Sequence, residues 1–415
     1  MNALDLPWLA LFLLVAYASV QMSRRLFGTW FSPVSMYVGM NAMSMAGYHV
    51  KWLAYHDISL ATHGVLLISM AAFVLGVRIG LGRNHSAGNL PEAPVYDLSN
   101  LDRFFYLTVV IATIGWVLAS IILVQQYGLG SLVRNIWMLQ TEFQMQYIGY
   151  MNVMGILVLP VHMIRWLHGR TRPYDLLLVA ATIFGLLLSG IKSYLITSIV
   201  AALIIWSAMR PRLFRPAHLL AAFGVMLAFF VAYTAQVDIF VADSFAGSEM
   251  SQKYSMFQRP YLYFTGIWPA LESVVTGVMP DLPYWGYITF QPLWKLMSWF
   301  GLFDVLPRYL PFSTTGVAPF NVYAFAGEVF WDWGWIGTAV FSLALGFTST
   351  RLYLRARLWA YWGHALIYGI FGFGVFMSTF AYYFHFKMML MLVYAYVVGF
   401  VLLRGGVLVD GRRRG

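Results

Sequence analysis

Eleven long apolar runs divide this chain, at about 5–23, 32–50, 61–81, 104–124, 147–167, 174–190, 193–209, 217–236, 335–350, 361–383 and 386–404. A bilayer core about 30 Å thick is crossed by roughly 20 apolar residues in a helix. In lipid the backbone must satisfy its own polar groups, so the helix is the spanning unit for runs of this length. Only 10% of the residues are charged and 60% are hydrophobic, against about 25% charged in soluble domains. Such a chain cannot cover a globular surface with polar groups. The expectation is an all-α, polytopic transmembrane helical bundle of about eleven spans, forming a single integral-membrane domain over 1–415.

Local features refine this reading. The runs 174–190 and 193–209 are short and form a tight hairpin around Ser189, Gly190, Ile191 and Lys192. The segment 321–334 either extends the ninth span or forms a separate re-entrant piece. The first run, Leu6 to Met22, has no basic stretch before it and is followed by Arg24 and Arg25. That order marks a first span, not a cleavable signal peptide. No cysteine is present, which excludes disulfides and thiolate metal sites.

Orientation follows from the bias of Lys and Arg toward the cytoplasmic side. With the N-terminus outside and the C-terminus cytoplasmic, 18 of the 26 cations fall inside, in compact clusters such as Arg210, Arg212 and Arg215. The net charge of +10 is then a topology signal, and nucleic acid is not an expected partner. The implied location is a bacterial inner membrane, with the lipid bilayer as solvent. Eight cations fall on the outer face: Lys51, Arg134, Lys192, Lys253, Arg259, Lys295, Arg308 and Lys387. Ten acids join them in outer loops, among them Glu272, Glu328 and Asp332. Loop solvation accounts for such residues one by one. Together they concentrate paired polar chemistry on one face.

The region 237–334, between the eighth and ninth spans, is the largest outer, periplasmic loop. It is rich in aromatic residues, including Tyr261, Tyr263, Trp294 and Trp299. The stretch 290–303 has the alternation of an interfacial amphipathic helix, so the loop reads as a membrane-hugging lid.

Nucleotide and metal signatures are missing: there is no GxxxxGK[ST], no GxGxxG after a strand and no HExxH. No cofactor is expected. Glu328 and Asp332, four apart, share one helix face; as a metal pair they are weak. What remains is a set of outer cations beside aromatic, Gly- or Pro-marked segments: Arg134, Lys192, Lys253 with Arg259, Arg308, and Lys387 with His385. Each is also explicable as a loop residue snorkelling to headgroups. Fixed cations in a partly dry site bind phosphate oxygens strongly, and aromatic rings stack on sugar faces. This constellation fits an anionic, lipid-linked glycan.

The segment from Pro319 to Gly337, ending in Asp332-Trp333-Gly334-Trp335-Ile336-Gly337, resembles the oligosaccharide repeat-unit polymerases, or O-antigen polymerases. There a D-[FW]-G-x-x-G element opens a late span. Gly190-Ile191-Lys192-Ser193 is similar to the family's small-basic-Ser element, with Lys in place of the commoner Arg. Arg259-Pro260-Tyr261-Leu262-Tyr263 is similar to its R-x-x-x-Y element. The resemblance implies a membrane glycosyltransferase that moves a growing glycan from undecaprenyl pyrophosphate to the non-reducing end of a new lipid-linked repeat unit. Implied partners are the undecaprenyl-pyrophosphate-linked oligosaccharide, a chain-length regulator and a flippase. Implied pyrophosphate- or substrate-binding residues are Arg134, Lys192, Lys253, Arg259, Arg308, Tyr263, Tyr323 and Lys387. The candidate bases are Glu328, Asp332 and His385, with Asp332 equally a cap for the ninth span. Three other functions stay open: a glycan ligase, which shares the donor chemistry; a transporter or flippase; and a structural subunit of an envelope assembly. Charge-free span interiors weigh against the transporter, which would line a pathway with ionisable groups.

Overall fold

A computed structural model describes residues 5–82, 97–128, 146–188, 192–225, 227–228, 258–303, 310–359 and 361–403. The described chain is mostly helical, and its strands are one two-stranded antiparallel pair, Ser313–Thr314 with Pro319–Phe320. Four helices or helical stretches are long and apolar enough to cross a membrane: Asp5–Phe27, Leu60–Leu81, Leu101–Ile122 and Ile148–Leu167. Many of their large apolar side chains are exposed, including Leu14, Leu75 and Val110. A helix apolar all round is stable there only when lipid covers it. These are the features of a membrane protein. Shorter apolar helices cover Pro173–Leu187, Ser193–Met209, Pro216–Val225 and Phe386–Leu402.

The chain divides into two compact units, each assembled from separated segments, a division the apolar runs did not signal. The first comprises Met1–Leu90, Phe245–Arg351 and Gly374–Met389; the second comprises Pro91–Ser244, Leu352–Phe373 and Leu390–Gly415.

In the first unit the Leu60–Leu81 helix crosses the Ala324–Leu358 helix at backbone contact. A Cβ at Gly76 would lie 2.0 Å from the Leu343 carbonyl oxygen, and one at Gly346 would lie 2.1 Å from that of Phe73. Small residues at such crossings let helix backbones approach closely in lipid. Beside the crossing, Ser69 Oγ is 2.5 Å from Tyr37 Oη and 2.7 Å from Ser342 Oγ. Hydroxyl pairs of this kind satisfy groups that cannot reach water. Helices Gln258–Thr265 and Ile267–Val275 pack on the end of helix Met40–His49. Trp268 is fully buried there, and its indole nitrogen donates to Ser44 Oγ at 2.9 Å.

In the second unit Leu101–Tyr127 lies against Gln146–Leu167, where a Cβ at Gly115 would lie 2.7 Å from the Asn152 amide nitrogen. Arg165, which the charge bias places among the cytoplasmic anchors, is wholly buried. Its Nε donates to Asp102 at 2.8 Å, and its guanidinium is 2.9 Å from the Asp175 carboxylate.

Of the 237–334 loop, the described parts are mostly helical. The Gln291–Trp299 helix buries none of its residues and exposes Leu293, Leu296 and Trp299. The segment 321–334 is neither a free re-entrant loop nor a straight extension. Helix Ala324–Leu358 runs through it and breaks at Gly334 (φ 64°, ψ −154°). A left-handed φ there favours glycine.

Candidate functional site

Glu328, Asp332 and His385 come together through one junction of three segments in the first unit. These are 284–291, the 324–334 turns ahead of the kink, and the link 381–386 between helices Trp362–Phe376 and Phe386–Tyr396. Residues 324–333 are helical, so Glu328 and Asp332 fall one turn apart on the same face.

Asp332 is fixed by backbone donors. The amide of Thr289 donates to Oδ2 at 2.7 Å and that of Ile288 at 3.0 Å. The carboxylate therefore caps the turn leading into Gln291–Trp299, and not the ninth span as its position suggested. Trp333 Nε1 donates to Thr289 Oγ1 at 2.8 Å, so consecutive residues grip the same turn. Gly337 accommodates this: a Cβ there would lie 2.0 Å from that of Trp333. The Asp332–Gly337 element thus has a local physical logic. The acid holds a neighbouring turn, Gly334 breaks the helix, and Gly337 makes room for the indole.

Glu328 is 4% exposed, and one of its oxygens accepts the Tyr382 amide at 3.0 Å. Burial, reinforced by the Asp332 charge and opposed by hydrogen bonds from backbone amides, pushes its carboxyl up to about 8. It therefore holds a proton at neutral pH. Burial also raises Asp332, against the pull of its amide donors. Tyr382 ties the junction back: its hydroxyl donates to the Thr289 carbonyl at 3.0 Å. The Phe386 amide donates to Gln291 Oε1 at 3.1 Å.

His385 sits on this link, partly exposed. Its enclosed setting, followed by the charges of Lys387 and Lys295, pushes the imidazole down to about 4, so the ring is neutral at pH 7. Burial lowers Lys295 as well. Its ammonium lies 5.6 Å from the centre of the Phe386 ring.

The remaining expected residues divide. Lys387 is partly exposed at the start of the Phe386–Tyr396 helix, two residues beyond His385. Tyr263 is 41% exposed, with its ring 6.0 Å from Phe320 and 6.1 Å from Phe380. Tyr323 is fully buried; its hydroxyl donates to the Pro311 carbonyl and its ring packs on Trp331 at 5.1 Å. It braces the fold and offers no open face for stacking a sugar. Arg259 lies in the Gln258–Thr265 helix, and Lys192 opens the Lys192–Met209 helix of the second unit. The side chains of both fall outside the described set, and Arg134, Lys253 and Arg308 lie outside the described residues.

Sequence reasoning gave no role to Thr289 or Gln291, took Tyr382 only as part of the aromatic segment around His385 and Lys387, and counted Lys295 only as an outer cation. None carries a motif, and each matters through partners far along the chain. Among the described residues no group of three or more metal-ligating side chains is placed to hold an ion. No family model, no curated protein and no solved structure matches this chain.

Proposed function

We propose that the chain is an inner-membrane glycosyltransferase that polymerises lipid-linked oligosaccharide repeat units into a surface polysaccharide. In this reading about eleven spans cross the membrane, and the junction, built in part from the 237–334 loop, faces the outer, periplasmic side. The observation that carries it is the composition of the junction. A neutral, partly exposed His385, with Lys295 and Lys387 acting on it, lies on the same 381–386 link whose Tyr382 amide binds Glu328, while Asp332 is committed to the amides of Ile288 and Thr289. The acids position and the histidine reacts.

The transfer needs three things. The acceptor's sugar hydroxyl must lose a proton as its oxygen bonds the anomeric carbon of the growing chain. The bond from that carbon to the pyrophosphate must break, its electron pair leaving with undecaprenyl pyrophosphate. The charge developing on that leaving group must be stabilised, which preorganised cations do well in a dry site. His385 takes the hydroxyl proton, a contribution of about 10²–10⁴-fold. In the free protein burial, followed by the charges of Lys387 and Lys295, holds its basicity down. A bound pyrophosphate offsets the lysine charges and raises the imidazole from there. Lys295 and Lys387, with Arg259 from the resembled R-x-x-x-Y element, hold the phosphate oxygens; Lys192 is assigned a pyrophosphate-binding role by the resemblance alone. The exposed apolar side of Gln291–Trp299 rests in the headgroup layer, where the lipid tail enters.

The test is reconstitution. Purified protein in nanodiscs is given undecaprenyl-pyrophosphate-linked repeat units, and products are resolved by length. Polymer on the carrier from the native protein, and at least tenfold less from His385→Ala and from Lys192→Ala with Arg259→Ala, supports the reading. Full polymerisation by these variants at equal protein levels contradicts the assigned roles, and no polymer from the native protein contradicts the reading itself. A ligase, given lipid A core as acceptor, passes the glycan to it and does not extend the carrier-bound chain.

A further inference from the structure

A second buried cluster lies elsewhere in the first unit, where the start of Asp5–Phe27, the end of Met40–His49 and the start of Leu60–Leu81 meet. Asp5 Oδ1 is 3.1 Å from His49 Nδ1; His49 Nε2 is 3.1 Å from His63 Nε2; and His63 Nδ1 is 2.8 Å from the Ser59 carbonyl oxygen. Asp5, His49 and His63 are all buried. The two imidazole planes are inclined by only 24°, with centroids 5.3 Å apart. The two Nε2 atoms therefore face each other edge to edge.

Counting protons gives the result. A hydrogen bond needs one proton between its two heavy atoms, and a neutral imidazole carries one on its two nitrogens. The Ser59 carbonyl only accepts, so His63 Nδ1 carries a proton. If Asp5 is ionised, His49 Nδ1 carries one too. Two neutral rings would then present bare lone pairs to each other at 3.1 Å, so a third proton must lie between them. If Asp5 is protonated instead, it donates to His49, whose Nε2–H donates to His63, and the count is again three. Either arrangement leaves the trio neutral overall. Burial alone opposes a charge in this place; the contacts reconcile the two by balancing an imidazolium with a carboxylate.

We propose that Asp5, His49 and His63 form a proton-binding site, holding one proton shared between the two rings and so tying the first helix to the next two. Trp8 covers it, stacked on His63 at 4.0 Å, as suits a ring bearing positive charge. The surrounding charged groups sit one layer out. Tyr48 abuts His49 edge-on, Lys51 pairs with Asp57 at 2.9 Å, and Glu272 accepts from Ser59 and Thr62 at the start of the third helix. A metal ion is a poorer occupant: Asp5 and His63 meet opposite nitrogens of His49, so the three do not converge on one point as a tetrahedral site requires, and no group of three ligating side chains among the described residues is placed to hold an ion. Loss of the proton leaves facing lone pairs beside a carboxylate. The contact between the second and third helices then opens as pH rises.

The test is nitrogen NMR on the full chain, labelled with 15N at histidine and held in nanodiscs. His49→Gln and His63→Gln assign the signals. The expected result is a nitrogen–nitrogen coupling through the shared proton between the two Nε2 atoms, absent in either variant and lost together with the imidazolium signal as pH is raised. Asp5→Asn should move that loss at least about one pH unit lower, because it removes the balancing anion. Two neutral rings without coupling at every pH at which the native protein stays folded would overturn the site. An unmoved transition in Asp5→Asn would remove Asp5 from it.

Discussion

Two clusters, one in each unit, hold their acids in opposite ways. In the second, Arg165 is placed between Asp102 and Asp175, with its guanidinium 4.3 Å from the centre of the Phe105 ring, so one cation holds both acids in a single cluster. In the first, Glu328 and Asp332 share a helix face, and among the described residues neither pairs with a cation; backbone amides are their partners. The difference separates architecture from chemistry. Acids held by a cation need nothing further, whereas an acid kept protonated at neutral pH, at a junction that also carries a neutral histidine, leaves proton-transfer groups available. Perturbed titratable groups gathered in one place are the usual mark of a working site.

Four experiments break or sharpen this contrast. The largest effect belongs to Arg165→Met, which strips the buried Asp175 and the partly exposed Asp102 of their cation and should cost about 3–5 kcal/mol in unfolding measured in detergent. If the loss is small, the cluster is not what holds the second unit. Next is Glu328→Gln. The folded carboxyl is raised from 4.5 to about 8, so the folded state holds a proton that the unfolded state releases. Stability from this group is complete below about pH 4.5 and falls as pH rises toward 8. The amide has no such loss and still accepts from Tyr382. It should be more stable than native at pH 8, by on the order of 2–4 kcal/mol, with little difference at pH 4.5. Equal pH profiles would mean that Glu328 is ionised when folded.

Gly337→Ala places a methyl group against Trp333 and should cost about 1–3 kcal/mol and displace the indole, read as a change in tryptophan fluorescence. The smallest effect is expected from Asp332→Asn, which keeps one acceptor oxygen for two amide donors and should lose about 1–2 kcal/mol. Protease cleavage within 284–291 should rise as that turn loosens. An Asp332→Asn protein of native stability that lacks activity would instead make the carboxylate chemical and not positional.

The helices were legible because apolar length is a local property: the runs at 61–81 and 193–209 coincide almost residue for residue with Leu60–Leu81 and Lys192–Met209. The pairing of Glu328 with Asp332 was legible for the same reason, since a four-residue spacing fixes a face. The role of Asp332 was not, because its partners, Ile288 and Thr289, are more than forty positions away. Arg165 reads in sequence as one more loop cation, since only folding brings Asp102 beside it. Asp5, His49 and His63 carry no common motif and meet only where three helix ends converge. Tyr323 erred the other way: an aromatic residue in a promising segment proved to be packing.

The central claim is that the chain builds polysaccharide from lipid-linked repeat units. The most direct measurement is the glycan profile of a strain lacking this protein, on a gel that resolves repeat-unit ladders. The account predicts loss of the ladder with single-repeat material retained. An unchanged ladder and unchanged secreted polysaccharide would contradict it.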